Sequence, residues 1–112
     1  MDIQKERVGD VQVVTPEGRL DGIYSGAFAN QVGELITGTN PKVLIDFTNI
    51  DFVTSAGLRA VLLLMRKAQA SGGVFALCGV NAQVREVLDI SGFAGIFSVH
   101  NGRAEAIAAL GG

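Results

Sequence analysis

The chain has 112 residues, of which 48% are apolar and 18% charged, and its formal net charge is −2. This length and balance fit one compact domain with its own core; they favour a globular fold over a disordered tail, and a second domain is not expected. The charges are spread without a basic block, so the electrostatic footprint of a nucleic-acid binder is missing and direct binding to nucleic acid is not expected.

In chain order, Asp2 to Val8 is expected to pair with Val11-Gln12-Val13-Val14-Thr15 as a hairpin around Gly9-Asp10, and the second strand closes in a turn at Pro16-Glu17-Gly18. The opening residues contain no apolar export segment, and no apolar run is long enough to cross a bilayer. A cytoplasmic protein without membrane insertion is therefore expected. From Ser25, the residues Phe28, Val32, Leu35 and Ile36 recur at helical spacing, with Ser25 as cap and Gly38 as stop. Lys42 to Phe47 is apolar without alternation, as a strand covered on both faces should be.

A second helix follows Thr54-Ser55-Ala56-Gly57-Leu58, with Leu58, Val61, Leu62, Met65 and Ala68 as its inward stripe and Ser71-Gly72-Gly73 as its end. Val74 to Cys78 reads as another buried strand. Cys78, the only cysteine, excludes an internal disulfide and reads as a buried structural thiol in a reducing compartment. Asn81 caps a third helix that carries Val84, Val87 and Leu88 inward and stops at Gly92. Ile96 to Val99 is a last short strand, and Asn101 caps a terminal helix through Ala104, Ile107 and Ala108. Strands alternating with helices predict an α/β layer structure with a largely parallel sheet.

The informative segment runs from Asp46 to Leu58. A strand gives way to a loop that delivers a hydroxyl to the start of a long helix, where unpaired amides and the positive end of the macrodipole can receive an anion. Thr54 or Ser55 can equally serve as a plain N-cap, and capping does not prevent a hydroxyl from being a kinase substrate. Leu63 falls opposite the inward stripe, among Arg59, Arg66 and Lys67, and with Arg59 forms a candidate docking face next to Ser55. Asp21 follows a strand exit expected at the same end of the sheet. Asp46 and Asp51 have no histidine or third acid at catalytic or metal-ligand spacing, so structural roles are expected for them. A Ser-His-Asp triad would depend on the distant His100, read as a surface residue. Gly57 stands alone without the lysine of a phosphate loop, so neither catalysis nor a cofactor nor a metal is expected.

Asp46-Phe47-Thr48-Asn49-Ile50-Asp51-Phe52 leading to Ser55-Ala56-Gly57-Leu58 resembles the signature of STAS domains, specifically the anti-sigma factor antagonists. Glu17-Gly18-Arg19-Leu20-Asp21, Ser71-Gly72-Gly73 and Ile90-Ser91-Gly92-Phe93 extend the likeness over almost the whole chain. The resemblance implies a mixed, mostly parallel sheet of four to five strands flanked by four helices. It also implies a partner switch: the unmodified antagonist binds an anti-sigma factor that is also a serine kinase, phosphorylation ends this binding, and a serine phosphatase restores it. The family's phosphorylated serine lies two residues before the loop glycine, which here is Ser55. Thr54 stands where many members carry Asp and is the alternative acceptor, whereas Ala56 replaces a hydroxyl residue common one position later and points back to Ser55. Asp21, Thr54, Ser55, Gly57, Arg59 and Leu63 are the expected partner contacts, and the chain is read as a monomer. The competing reading with the same fold is a scaffold subunit of a transport or membrane assembly that is not phosphorylated.

Overall fold

The computed structural model describes residues 1–111. They form β1 (Ile3–Val8), β2 (Val11–Pro16), β3 (Gly18–Leu20), α1 (Ser25–Gly33), β4 (Lys42–Asp46) and β5 (Ile50–Val53), then α2 (Ser55–Ala70), β6 (Val74–Cys78), α3 (Ala82–Ile90), β7 (Ser98–His100) and α4 (Arg103–Ala109). The expected hairpin is present: β1 pairs antiparallel with β2, from Ile3 opposite Pro16 to Val8 opposite Val11. The other strands join in parallel to give a five-stranded sheet in the order β1-β2-β4-β6-β7. At its β1 edge Gln4, Lys5, Glu6 and Arg7 are all exposed, a polar border that discourages further strand addition.

Strand periodicity sorts the apolar residues between two cores. Val14, Val43, Ile45, Phe75 and Leu77 pack with Phe28 and Val32 of α1, with Leu58, Val61 and Leu64 of α2, and with Val84 and Leu88 of α3. Their neighbours Val11, Val13, Leu44, Ala76 and Cys78 point to the other face, under Ala106 and Leu110 from the α4 end. Both faces are covered, and this is why β4 and β6 read as uninterrupted apolar runs. Burial first, and then the adjacent Asp46 carboxylate, push the Cys78 thiol up to about 12, so it is an inert core residue. Among the described residues no helix is long and apolar enough to cross a membrane.

The element limits differ from expectation in several places. The chain does not turn at Pro16-Glu17-Gly18. It leaves the main sheet there and starts β3, which pairs in parallel with β5 as a separate two-stranded ladder. Ser25 does not cap α1: the Asp21 carboxylate accepts from the amides of Ile23 (3.0 Å) and Tyr24 (3.2 Å), and the Asp21 carbonyl accepts from the Ser25 amide (2.8 Å). The same helix ends at Gly33, short of Gly38, because the Gly33 carbonyl is taken by the Lys67 ammonium at 2.6 Å and by the Ile36 amide at 3.2 Å. On α2, Ala60 and Leu64 are buried while Leu62 is only half-buried, so the inward arc is wider than a single stripe and centred elsewhere. The last strand begins at Ser98, since Ile96 and Phe97 turn back onto the Phe93 carbonyl. Finally, Gly102 and not Asn101 occupies the N-cap of α4, and Ala106 is the buried residue of that helix while Ala104 and Ala108 are exposed.

Two tertiary contacts hold the site end of the sheet. The first is the approach of α2 to β3. The Thr54 amide donates to the Leu20 carbonyl at 3.1 Å, and a Cβ added at Gly57 would come within 2.8 Å of that carbonyl carbon. Only glycine fits there. The second is Arg103 at the start of α4, which donates to Asp46 through Nε (3.1 Å), to Thr15 Oγ1 through Nη2 (3.0 Å) and to the Glu6 carboxylate, with Nη2 also 3.1 Å from the Asp46 carboxylate as an ion pair. One guanidinium thus ties α4 to β4, β2 and β1. Asp46 also accepts from the Thr48 amide at 3.0 Å and from the Thr48 hydroxyl. Burial works to raise its carboxyl, but these hydrogen bonds and the Arg103 charge outweigh it and hold the group below its ordinary value.

Gly57→Ala is expected to lower the unfolding free energy by about 1–3 kcal/mol in urea titration with little change in helix content, because the methyl has no room against backbone. Unchanged stability would mean that α2 does not sit on Leu20 as described. Because the Asp46 carboxyl titrates lower in the folded protein than in the unfolded chain, its contribution is complete above about pH 4 and fades as pH falls through the lowered folded value. Arg103→Met should therefore cost about 1–3 kcal/mol at pH 7, toward the lower end because the guanidinium is partly exposed. The cost should shrink in unfolding curves taken near pH 2.5, and an equal cost at both pH values would count against the clamp.

Candidate functional site at the start of helix α2

The two candidate hydroxyls have different surroundings. Thr54 has extended backbone (φ −110°, ψ 171°), and its side chain accepts from the Gly57 amide at 3.3 Å while its carbonyl accepts from the Leu58 amide at 3.0 Å. Thr54 is the N-cap. Ser55, the first residue of α2, is exposed, and its Oγ lies 3.0 Å from Ser91 Oγ at the end of α3. Among the described residues none accepts from the amides of Ser55 and Ala56, so two donors and the positive helix end remain beside the Ser55 hydroxyl. The choice of cap, open in the sequence, falls to Thr54, and the Ser55 hydroxyl is left exposed with Ser91 as its hydrogen-bond partner.

The strand that feeds this corner is held by side-chain amides. Gln83 on α3 accepts from the Val53 amide at 2.9 Å and donates to the Val53 carbonyl at 3.1 Å, completing a strand-like pairing on the free edge of β5. Asn81 caps α3 by accepting from the Val84 amide at 2.9 Å, as expected, and also donates to the carbonyls of Ile50 and Asp51 at 3.0 Å each. Two amides thus replace a missing strand. The sequence marked Asn81 only as a cap and Ser91 only as part of the third-helix end, and it did not mark Gln83, since each acts across roughly 30 positions of chain.

The other expected contact residues lie around the same corner. Leu20 at the end of β3 pairs with Val53 at the end of β5, so the loops that carry Asp21 and Ser55 leave adjacent strand ends. The Asp21 carboxylate, however, is engaged within its own loop, by the amides of Ile23 and Tyr24 and by a 3.0 Å ion pair with Arg19, whose guanidinium lies 5.3 Å from the Tyr24 ring centroid. Arg59 is exposed one helical turn beyond Ser55, and Leu63, 58% exposed, follows one turn later on the same side. Gly57 is buried and contributes by its lack of a side chain. Between α1 and α2 a shallow groove of about 290 Å³ runs past Gly26, Ala29, Ala56 and Ala60, with Arg59 and Leu63 at its rim. Ile23 (73% exposed) and Ile90 (77%) bring further apolar surface from the loop after β3 and from the end of α3.

The corner presents exposed apolar side chains around one exposed hydroxyl at a helix start. Ser55 faces another serine and not a base; His100 lies on β7, with Nε2 3.0 Å from Ser98 Oγ. Among the described residues no group of three or more histidine, cysteine or acidic side chains is placed to hold a metal ion. A cavity of about 400 Å³ opens beside Arg19, Asp51 and Phe52 and does not include Ser55.

The chain matches the STAS domain family over residues 2–106. A Bordetella bronchiseptica protein named as the anti-sigma factor antagonist BtrV is 39% identical over 95 residues, spanning 81% of this chain and 82% of that protein. An anti-sigma-factor antagonist (STAS) domain protein from Planctomyces limnophilus has a TM-score of 0.89 at 24% identity, covering 100% of both chains. SpoIIAA, an anti-sigma factor antagonist solved in its unphosphorylated form, has a TM-score of 0.77 at 23% identity over 98% of this chain and 97% of that one. The structural likenesses carry the fold and the sequence matches carry the family: this chain belongs to the STAS domain family and, within it, to the anti-sigma factor antagonists.

Proposed function

We propose that this antagonist is a phosphorylation-controlled partner switch. Its unmodified form docks an anti-sigma factor that is also a serine kinase, phosphorylation of Ser55 releases that partner, and a serine phosphatase restores the docking form. The observation that carries the reading is the separation of roles at the α2 start, where Thr54 performs the capping and leaves the Ser55 hydroxyl exposed. The solved form of SpoIIAA being described as unphosphorylated supports a phosphorylated counterpart for that relative, and by extension for this chain.

The physical basis is charge at an apolar docking surface. A phosphoryl group adds about −1.5 to −2 charges and three acceptor oxygens. The free amides of Ser55 and Ala56 and the helix dipole stabilise such an anion by about 0.3–1 kcal/mol at an exposed site, so the modified protein tolerates it. A partner seated over Ile23, Leu63 and Ile90 would have to strip water from the same group without a prepared cation, and binding weakens. Arg59, one turn along, adds to the effect: it is free to meet an acidic partner group in the unmodified protein and is drawn to the phosphate in the modified one. Asp21 helps indirectly by fixing the loop that presents Ile23.

Ser55→Asp is expected to weaken binding to the anti-sigma factor at least tenfold in calorimetry, whereas Ser55→Ala should keep full affinity and resist phosphorylation; equal affinity of the two variants would sink the switch. Protein isolated from its own cells should carry a phosphate adduct that maps to Ser55. Unmodified Ser55 together with co-purifying transport subunits would point instead to the scaffold role. Leu63→Ala should lower partner affinity about tenfold with an unchanged melting temperature, since its side chain stands in solvent. A large loss of stability in that variant would remove Leu63 from the docking face.

A further inference from the structure

The side chain nearest the Ser55 hydroxyl belongs to neither the strand nor the helix that delivers it. Ser91 closes α3, and its backbone is fixed there: its amide donates to the Val87 carbonyl at 2.9 Å, and the Phe93 amide donates to the Leu88 carbonyl at 2.9 Å. Phe93 packs edge-on against Phe97, with ring centroids 6.1 Å apart, anchoring the turn that follows. The Ser91 hydroxyl caps nothing in α3, and the hydrogen bond that it makes is the one to Ser55, 36 residues away. A rigid backbone thus holds a hydroxyl against a serine that would otherwise sample three side-chain rotamers in solvent.

From this geometry, and resting on the reading of Ser55 as the phosphorylated residue, we infer that Ser91 is the positioning residue of the switch. Its hydroxyl donates to Ser55 Oγ and selects one rotamer. The remaining lone pair of Ser55 Oγ then faces the incoming γ-phosphorus of a nucleoside triphosphate bound to the kinase. In the transfer, a bond forms between Ser55 Oγ and that phosphorus, the bond from phosphorus to the bridging oxygen breaks, the nucleoside diphosphate leaves, and the Ser55 proton passes to the general base of the kinase. Ser91 is unchanged throughout and afterwards donates to the phosphoserine. Placement matters here because Ser91 sits at the carbonyl end of α3, whose dipole repels an anion, and the hydroxyl is a donor on that side.

The test uses the full chain, ATP and the anti-sigma factor kinase of the source organism. Ser91→Ala should lower kcat for phosphorylation of Ser55 about three- to tenfold, the size of one lost hydrogen bond and a freed rotamer, with KM within about twofold of wild type. Ser91→Thr, which keeps the hydroxyl, should restore kcat. In protein made with phosphoserine at position 55, the phosphate followed by phosphorus NMR should titrate at higher pH in Ser91→Ala than in wild type or Ser91→Thr, because the dianion loses a donor. An unchanged kcat or an unshifted titration in Ser91→Ala overturns the role of Ser91 and leaves Ser55 as the switch. A loss of kcat that follows a fallen melting temperature or a large rise in KM also overturns it, by placing Ser91 in folding or docking. A wild-type chain that accepts no phosphoryl group at Ser55 overturns the switch itself, and the role of Ser91 with it.

Discussion

The Leu20 carbonyl lies where β3, the N-cap of α2 and the α2 backbone meet. It accepts from the Thr54 amide, and its carbon would be overlapped by any side chain at Gly57. This contact fixes where α2 begins, and so which hydroxyl is turned inward to cap and which is left in solvent. Val53 is braced from the other side by Gln83, so the residue before the cap is held between β3 and α3. The corner is built by backbone hydrogen bonds, one glycine, the Thr54 cap and the side-chain amides of Gln83 and Asn81, none of which is made by the Ser55 hydroxyl.

Magnitudes decide how a charge at Ser55 would act. The inward side of α2 buries Leu58, Val61, Leu64, Met65 and Ala68, and each large apolar side chain among them is worth about 1.5–3 kcal/mol of burial. An anion at the helix start changes local electrostatics by about 1 kcal/mol at most when exposed. Such a term does not move a helix held by several buried side chains. The effect of a phosphate on this fold would therefore be local, and large only where a partner had to desolvate it.

Much of this was legible in the residues. The apolar runs of β4 and β6, the hairpin around Gly9-Asp10 and the Asn81 cap follow from periodicity and local hydrogen-bonding chemistry. The β3–β5 ladder was hidden because its strands have three and four residues and β5 buries only its two ends, which leaves no alternation to read. The early end of α1 was hidden because Lys67, far along the chain, takes the Gly33 carbonyl. At the site, the motif indicated Thr54 and Ser55 but not their division of labour. That follows from ψ at Thr54 and from the neighbour that each hydroxyl meets, and Ser91 comes from the far end of α3.

The two faces of the sheet share this work unequally. On the α4 side, Arg103 gathers Asp46, Glu6 and Thr15 and joins three strands, two through charge and one through a hydroxyl. Asp46 in turn accepts from Thr48, in the short segment that leads to β5. The clamp thus sets where the chain leaves β4, and the β3–β5 ladder sets where it enters α2. Between them the path to Ser55 is anchored at both ends, with Asn81 and Gln83 along its open edge. A hydroxyl delivered by a segment so constrained has one remaining freedom, its own side-chain rotation, and Ser91 is placed to restrict it.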